Sequence, residues 1–262
     1  MMKINLKGKK ALVGGSTQGL GKAIAVQLAN CGASITLMAR NEEKLQQVLK
    51  TLNTDFNQNH NYLVVDFYNF NSYEKVLTNY FNENTVDILV NNTNGPKDGT
   101  VIEKNTNDYQ EAFNLLFKTT QFTTSLALKN MQEQGYGRII NATSISVKEP
   151  LNHLVLSNTI RAAITTWAKT LANSVANNGI TINNILTGIF DTERIKELNK
   201  LQAENRNITS EEVLKELENS IPMKRIGKPK EFAYLVTFLA SEYASYITGT
   251  NIAIDGGLIK SL

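Results

Sequence analysis

Three side chains in the second half of the sequence could act on a polar group of a bound molecule: Ser144, Ser157 and Arg161. Ser144 follows an apolar run at 138–142 and so places a hydroxyl just beyond a predicted strand. Ser157 and Arg161 are four residues apart, which puts them one above the other on a helix face. Together these groups can polarise an oxygen atom. A serine hydroxyl, however, is a weak acid and an arginine stays charged, so neither releases a proton readily.

His153 is the nearest candidate for a proton donor, because it lies four residues before Ser157 at the entry to the same predicted helix. Histidine titrates in the range that acid–base chemistry near neutral pH requires. The competing interpretation is an ordinary loop residue. His60 lies in an asparagine-rich loop and Lys148 fits a solvated surface, so both are weaker candidates.

A glycine-rich turn joins the first predicted strand to the first predicted helix, with the sequence Gly14-Gly15-Ser16-Thr17-Gln18-Gly19-Leu20-Gly21. Glycines let the chain turn tightly and let backbone N–H groups approach a pyrophosphate at the positive end of a helix. A purely structural turn is the alternative. The position between the first strand and the first helix of a parallel sheet favours a dinucleotide site.

Arg40 follows the second predicted strand, where a site for NAD(H) would offer an acidic residue to the adenosine ribose. A guanidinium there can pair with a 2′-phosphate in planar, charge-assisted geometry. The alternative is a solvent-facing arginine. The sequence therefore favours NADP(H) over NAD(H).

These residues lie on strand-like apolar runs that alternate with segments of helical period. Strands are predicted at 10–14, 34–39, 62–65, 86–90, 138–142, 180–186 and 251–254. Helices are predicted at 19–30, 41–52, 108–134, 157–177 and 229–241, with a charged helical region at 191–219. The alternation predicts one α/β domain over residues 1–262, a Rossmann-type doubly wound parallel sheet of seven strands with helices on both faces.

The composition narrows the class of protein. Apolar residues make up 42% and charged residues 19% of the 262 residues, which argues for a globular fold and against disorder. The net charge of +3 is small and evenly spread, so neither a nucleic acid nor a membrane surface is expected as a partner. Cys31 is the only cysteine, and no metal site is predicted. The absence of a signal core or long apolar run predicts a cytoplasmic protein.

Further motifs occur in a fixed order: Asp66-Phe67, Asn91-Asn92-Thr93-Asn94-Gly95, Asn114, Thr187-Gly188-Ile189 with Thr192, and Asp255-Gly256-Gly257. With the glycine turn and Ser144, they resemble the short-chain dehydrogenase/reductase family over nearly the whole chain. Within that family the chain is most similar to 3-oxoacyl-[acyl-carrier-protein] reductases.

The resemblance implies roles for these motifs. Asp66 and Phe67 would contact adenine, and Asn91 would support its strand and line the cofactor. Asn114 would serve as a structural and proton-relay residue. The segment Thr187, Gly188, Ile189 and Thr192 would contact the nicotinamide carboxamide. Ser144 would hydrogen-bond the substrate carbonyl oxygen, a stabilisation of oxyanion type.

Ser157 and Arg161 depart from the family, which places a tyrosine and a lysine at these two positions. The interval from Ser144 to Ser157 is the family interval, so the replacement does not depend on a gap in the alignment. The pair is similar to a branch that carries Ser-Asn-x-x-Arg. Arg161 could still hold the nicotinamide ribose, while the source of the proton becomes the open question.

Three functions are compatible with this pattern. The first is an NADP(H)-dependent oxidoreductase that moves a hydride between nicotinamide and a carbonyl or alcohol carbon of a small or acyl-carrier-linked substrate. The second is a catalytically weak or inactive dinucleotide-binding sensor or scaffold. The third is elimination or isomerisation on the same fold. The resemblance also implies a homo-oligomer, a dimer or a tetramer, and a substrate loop at about 189–219.

Overall fold

Seven strands form one parallel sheet in a computed structural model that describes residues 3–261. The strands are β1 Lys10–Gly14, β2 Ser34–Ala39, β3 Asn61–Val64, β4 Ile88–Asn91, β5 Gly137–Ala142, β6 Ile180–Thr187 and β7 Asn251–Ile254. Their order across the sheet is β3-β2-β1-β4-β5-β6-β7. The predicted fold class is confirmed, because all neighbouring strands are parallel and helices cover both faces.

Nine α-helices connect the strands within the described residues. They are α1 Gly19–Asn30, α2 Glu42–Leu49, α3 Phe70–Glu83, α4 Thr106–Ala112, α5 Thr119–Gln134, α6 Val155–Val175, α7 Glu193–Arg206, α8 Ser210–Ser220 and α9 Pro229–Leu239. A π-helical turn, Phe113–Lys118, joins α4 to α5. None of these helices is long and apolar enough to cross a bilayer.

Strand β1 shows how the sequence builds two cores. Its successive side chains point to opposite faces of the sheet. Val13 packs in a buried cluster with residues of α1, α2 and α9, such as Leu28 and Phe232. Leu12 packs on the other face with residues of α3, α5 and α6, such as Leu77. A strand buried on both faces reads as a continuous apolar run, as β1 does.

The structure departs from the predicted elements in three helical regions. Helix α3 was not predicted, although its apolar residues recur with helical period: Tyr73 and Leu77 are buried, and Phe70, Val76, Tyr80 and Phe81 pack partly buried on the same core. The predicted helix 108–134 is interrupted by the π-helical turn, where the Thr119 hydroxyl donates to the Leu115 carbonyl oxygen at 2.6 Å. The charged region 191–219 forms two helices, since Asn207 ends α7 with a φ of 51°.

An asparagine ladder crosses the sheet from β4 to β7. Asn91, Asn141, Asn184 and Asn251 occupy matching register positions on four adjacent strands. Each side-chain amide donates from Nδ2 to Oδ1 of the next asparagine, at 2.9, 2.9 and 2.8 Å in that order. Asn141 and Asn184 are buried, so their amides depend on these partners instead of water.

Replacing Asn141 by alanine should lower the free energy of unfolding by about 2–4 kcal/mol, because the buried Asn184 Oδ1 loses its donor and Asn91 Nδ2 keeps only the Thr124 hydroxyl as a partner. Asn251→Ala is the matched control. Asn251 is exposed, so its removal opens the end of the ladder to water, which can replace it as the acceptor for Asn184 Nδ2, and the loss should be under about 1 kcal/mol. Urea unfolding would measure the free energy of unfolding of both variants. Equal losses would contradict the expectation that the buried amides stabilise the fold more than the exposed end of the ladder does.

Candidate functional site

Two adjoining cavities lie at the carboxyl ends of the strands, where the chain order reverses between β1 and β4. Ligands bind at this switch point in open α/β sheets. One cavity has a volume of about 270 Å³ and the other about 200 Å³. Both are lined by Gly15, Gln18, Thr93 and Asn94. We call the pair the cleft, and because its halves share this wall, it can hold one elongated molecule across the glycine turn.

The glycine turn is tightly folded, with its first and last residues in close contact, and it is hydrogen-bonded to β2. Gly15 has a φ of 59°, and a Cβ on Gly21 would overlap the Gly15 carbonyl oxygen. The buried Ser16 hydroxyl accepts a hydrogen bond from the Met38 N–H at 2.9 Å, which ties the turn to β2. No side chain caps α1 at Gln18. The first N–H groups of α1 therefore remain available for an anion.

One end of the cleft contains the two serines and Arg161. Arg161 donates from Nε to Ser157 Oγ at 3.2 Å and from Nη1 to the Ala142 carbonyl oxygen at 2.7 Å. Ser144 Oγ accepts from the Ser146 N–H at 3.1 Å. Each serine oxygen thus accepts a bond from the protein, which leaves its own hydroxyl proton free to donate into the cleft.

Two guanidinium groups, of Arg161 and Arg194, and two carboxylates, of Asp98 and Glu193, line this end. Loss of hydration lowers the pKa of the Arg161 guanidinium to about 10, and the positive charge of Arg194 acts in the same direction. Arg161 therefore remains a cation at neutral pH. Within residues 3–261 no carboxylate pairs with it at 4.0 Å or less, whereas Arg194 Nη2 lies 3.5 Å from Asp98 Oδ1.

The other end of the cleft carries two basic residues, Arg40 and Lys44. The Arg40 side chain is 58% exposed, its Nε lies 4.0 Å from Asp66 Oδ1, and its guanidinium lies 5.6 Å from the Tyr68 ring centre. Phe67 lines the same end and offers an apolar surface. This end can therefore take a phosphate beside an aromatic base.

Most of the residues predicted for the site line the cleft. They are Gly15, Thr17, Gln18, Gly19, Leu20, Gly21, Arg40, Asp66, Phe67, Ser144, Ser157, Arg161, Thr187, Gly188 and Thr192. Asn92, Lys44 and Arg194 also line it but were not predicted to do so. Asn92 lies against the glycine turn, where its Nδ2 donates to the Gly14 carbonyl oxygen at 2.9 Å.

Five predicted residues do not line the cleft. Asn114 lies in the π-helical turn and accepts from Gln110 Nε2 at 3.0 Å. His153 has an exposed side chain, and its carbonyl oxygen accepts the Gly99 N–H at 2.7 Å.

The other three of these residues have contacts elsewhere. Ser16 is buried under the turn and Asn91 belongs to the asparagine ladder. Ile189 lines a separate cavity beside Phe190 and Met223. Within residues 3–261, no group of three His, Cys, Asp or Glu side chains could hold a metal ion.

Comparison with known proteins places the chain among reductases. The family model described as enoyl-(acyl carrier protein) reductase matches residues 15–259. The chain is 30% identical over 258 residues to 3-oxoacyl-[acyl-carrier-protein] reductase FabG of Aquifex aeolicus, covering 98% of this chain and 100% of the relative. It is also 30% identical to the NADPH-dependent reductase BacG of Bacillus subtilis over 268 residues, which cover 97% of this chain and 99% of the relative.

A solved structure extends the comparison over the full length. L-sorbose reductase from Gluconobacter frateurii, complexed with NADPH and L-sorbose, is 29% identical. The alignment covers 100% of both chains with a TM-score of 0.93.

Proposed function

Since the chain belongs to the short-chain dehydrogenase/reductase family of oxidoreductases, we propose that it uses NADP(H) to interconvert a carbonyl and an alcohol. The observation that carries this proposal is the continuous cleft. It runs from Ser144 and Ser157 at one end, past the glycine turn, to Arg40 and Lys44 at the other. A dinucleotide has the matching sequence of groups: nicotinamide, pyrophosphate, then adenosine.

The residues of the cleft fit NADP(H) at each of its charged groups. The uncapped N–H groups of α1 and the close turn at Gly21 suit the pyrophosphate. Arg40 and Lys44 suit the 2′-phosphate, and no carboxylate other than Asp66 lines that end within the described residues. The NADPH-bound sorbose reductase and the NADPH-dependent BacG support the same cofactor. Bound NADP(H) would supply the hydride.

Ser144 and Ser157 would bind the oxygen of the reacting carbonyl. Both hydroxyl protons are free, and negative charge that develops on the oxygen is stabilised by preorganised donors of this kind. Arg161 donates to Ser157 and so strengthens that hydroxyl as a donor. Its contact with the Ala142 carbonyl oxygen fixes the guanidinium beside the cleft, where it can also hold ribose hydroxyls.

The proton for the alcohol would come from water in this proposal. Neither serine is acidic enough to give up its own proton easily, and Arg161 keeps its charge. The exposed position of His153 offers no direct path into the cleft without a movement of its loop. The atypical centre therefore binds and polarises the carbonyl, and solvent completes the reaction.

A dinucleotide-binding sensor or scaffold is the second candidate, and the replacement of the phenol by Ser157 favours it. Titration of NADPH fluorescence with the protein, followed by oxidation assays on ketone, 3-oxoacyl and quinone panels, separates the two candidates. Binding with turnover of any panel member supports the oxidoreductase. Tight NADPH binding with no oxidation of NADPH across all three panels would support the sensor or scaffold and contradict the oxidoreductase.

Arg40→Gln should weaken NADPH binding about 10- to 100-fold, because a charge-assisted contact with the 2′-phosphate is worth about 1.5–3 kcal/mol. NADH lacks that phosphate, so its affinity should stay within about twofold of the original. Lys50→Gln, at the far end of α2 and outside the cleft, is the control. Fluorescence titrations with both cofactors would measure the effect. Equal losses for NADPH and NADH would contradict the assigned contact.

A homo-oligomer, dimer or tetramer, belongs to the same proposal. Phe113 is partly exposed and stacks on Phe117 with ring centres 5.1 Å apart, and Phe117 packs edge-on against Trp167 of α6. An aromatic row of this kind on a surface is suited to a partner. Light scattering would report the mass in solution.

A further inference from the structure

Arg194 joins the two loops that flank the reactive end of the cleft. It lies in the first turn of α7, within the predicted substrate loop, and its side chain is 46% exposed. Its Nη1 lies 3.2 Å from the position of a Cβ on Gly95, so the guanidinium rests against the backbone that follows β4. A side chain at Gly95 would require the guanidinium to shift slightly. The small residue at this position therefore lets Arg194 lie against the backbone at the edge of the cleft.

The hydrogen-bonding capacity of Arg194 is largely unused. Its contact with Asp98 is 3.5 Å long and lacks the geometry of a hydrogen bond within the described residues. The neighbouring Glu193 pairs with Lys196 at 2.9 Å instead. A guanidinium carries five N–H donors in a planar fork that matches a carboxylate. Arg194 thus has an ion-pair partner in Asp98 but keeps N–H donors for a second carboxylate, at the end of the cleft that carries the reactive hydroxyls.

The two carboxylates at this end already have cationic partners, Arg194 for Asp98 and Lys196 for Glu193. Arg161 has no carboxylate partner within 4.0 Å among the described residues, so one positive charge is left uncompensated. Arg161 and Arg194 repel each other, and this repulsion contributes to the lowered pKa of Arg161. In the proposed function the phosphates of the cofactor are held elsewhere, by the N–H groups of α1 and by Arg40 with Lys44. The negative charge that Arg194 can accept is therefore left to the substrate.

We propose that the substrate is a small oxo acid, or the corresponding hydroxy acid, whose carboxylate binds Arg194 in a bidentate contact while its carbonyl oxygen lies between Ser144 and Ser157. This substrate class rests on the proposed function. Arg194 would act as the specificity-determining residue, because a neutral carbonyl compound leaves its fork without a partner.

Two matched ligand pairs test the charge of the substrate: acetoacetate with methyl acetoacetate, and levulinate with methyl levulinate. Calorimetry on the protein saturated with NADP⁺ measures their binding without turnover. We expect at least one acid to bind about tenfold more tightly than its ester. Arg194→Gln should remove this preference, and Arg194→Lys should retain part of it. Lys200→Gln, on the same helix but exposed and outside the cleft lining, should leave the preference intact.

The outcomes separate this proposal from the proposed function. No preference for the acid in either pair overturns the proposal, even where neutral esters are reduced with NADPH and the oxidoreductase stands. A tenfold loss of NADPH affinity in Arg194→Gln also overturns it, because Arg194 would then bind the cofactor. An acid preference that depends on Arg194 without any oxidation of NADPH supports the anion site and counts against the oxidoreductase.

Discussion

Ser144→Ala is expected to lower kcat for carbonyl reduction about 10²–10³-fold, the usual effect of removing one donor from an oxyanion site. Ser144 Oγ accepts the Ser146 N–H, so its own proton remains available to a carbonyl oxygen in the cleft. The cofactor contacts proposed above do not involve Ser144. The affinity for NADPH should therefore stay within about twofold of the original value, and the loss should fall on kcat.

Ser146→Ala supplies the matched control for that experiment. Ser146 lies two residues away, its hydroxyl is buried without a partner among the described residues, and it does not line the cleft. We expect its removal to leave kcat within about twofold. A loss smaller than about threefold in Ser144→Ala would show that Ser144 does not stabilise the transition state. Steady-state kinetics with a reducible panel member would decide.

Ser157→Tyr combined with Arg161→Lys should raise carbonyl reduction about 10²–10⁴-fold, the range that a positioned general acid contributes. A phenol has a pKa near 10, and a neighbouring cation lowers that pKa, so it can give a proton that serine withholds. Because Ser157 and Arg161 are already in side-chain contact on one helix face, the two new side chains would occupy a matching position.

The pH dependence distinguishes this gain from a general improvement in packing. Reduction requires the protonated acid, so the rate of the double variant should fall as the pH rises through the pKa of the new phenol. If water supplies the proton, the rate of the original protein should not show this decrease with rising pH. Arg161→Lys alone is the control, and it should be slower than the original because the contact with the Ala142 carbonyl oxygen is lost. No gain in the double variant would mean that proton supply does not limit the rate.

The sheet could be predicted because its strands obey local rules. β1 is buried on both faces and is a continuous apolar run in the sequence. The turn after it carries its glycines in a spacing that is typical of a dinucleotide site. Helix α3 was missed although the sequence carries its signals. Apolar residues recur with helical period from Phe70 to Phe81, and Asn69 caps the helix by accepting the Ser72 N–H. The polar and asparagine residues between them make the stretch resemble a loop.

In the candidate site too, the sequence predicts the local contacts but not those that depend on the tertiary fold. Ser157 and Arg161 were placed together from their spacing, because a four-residue interval on a helix is a local property. Arg194 lines the cleft with its guanidinium against Gly95, a residue distant in the sequence, and no interval in the sequence encodes that approach. His153 and Asn114 illustrate the converse, since each was chosen by its position in the chain and each lies outside the cleft lining.

The asparagine ladder also constrains how the sheet can assemble. Its amides point the same way along the row, each Nδ2 towards the strand nearer to β7. A single reversed amide would set two donors or two acceptors face to face, so the orientation is chosen for the whole row at once. A one-residue slip of any strand would carry its asparagine to the opposite face of the sheet. The ladder therefore favours one register of the strands. In the half of the sheet that carries Ser144, a strand in any other register would leave asparagine amides without partners.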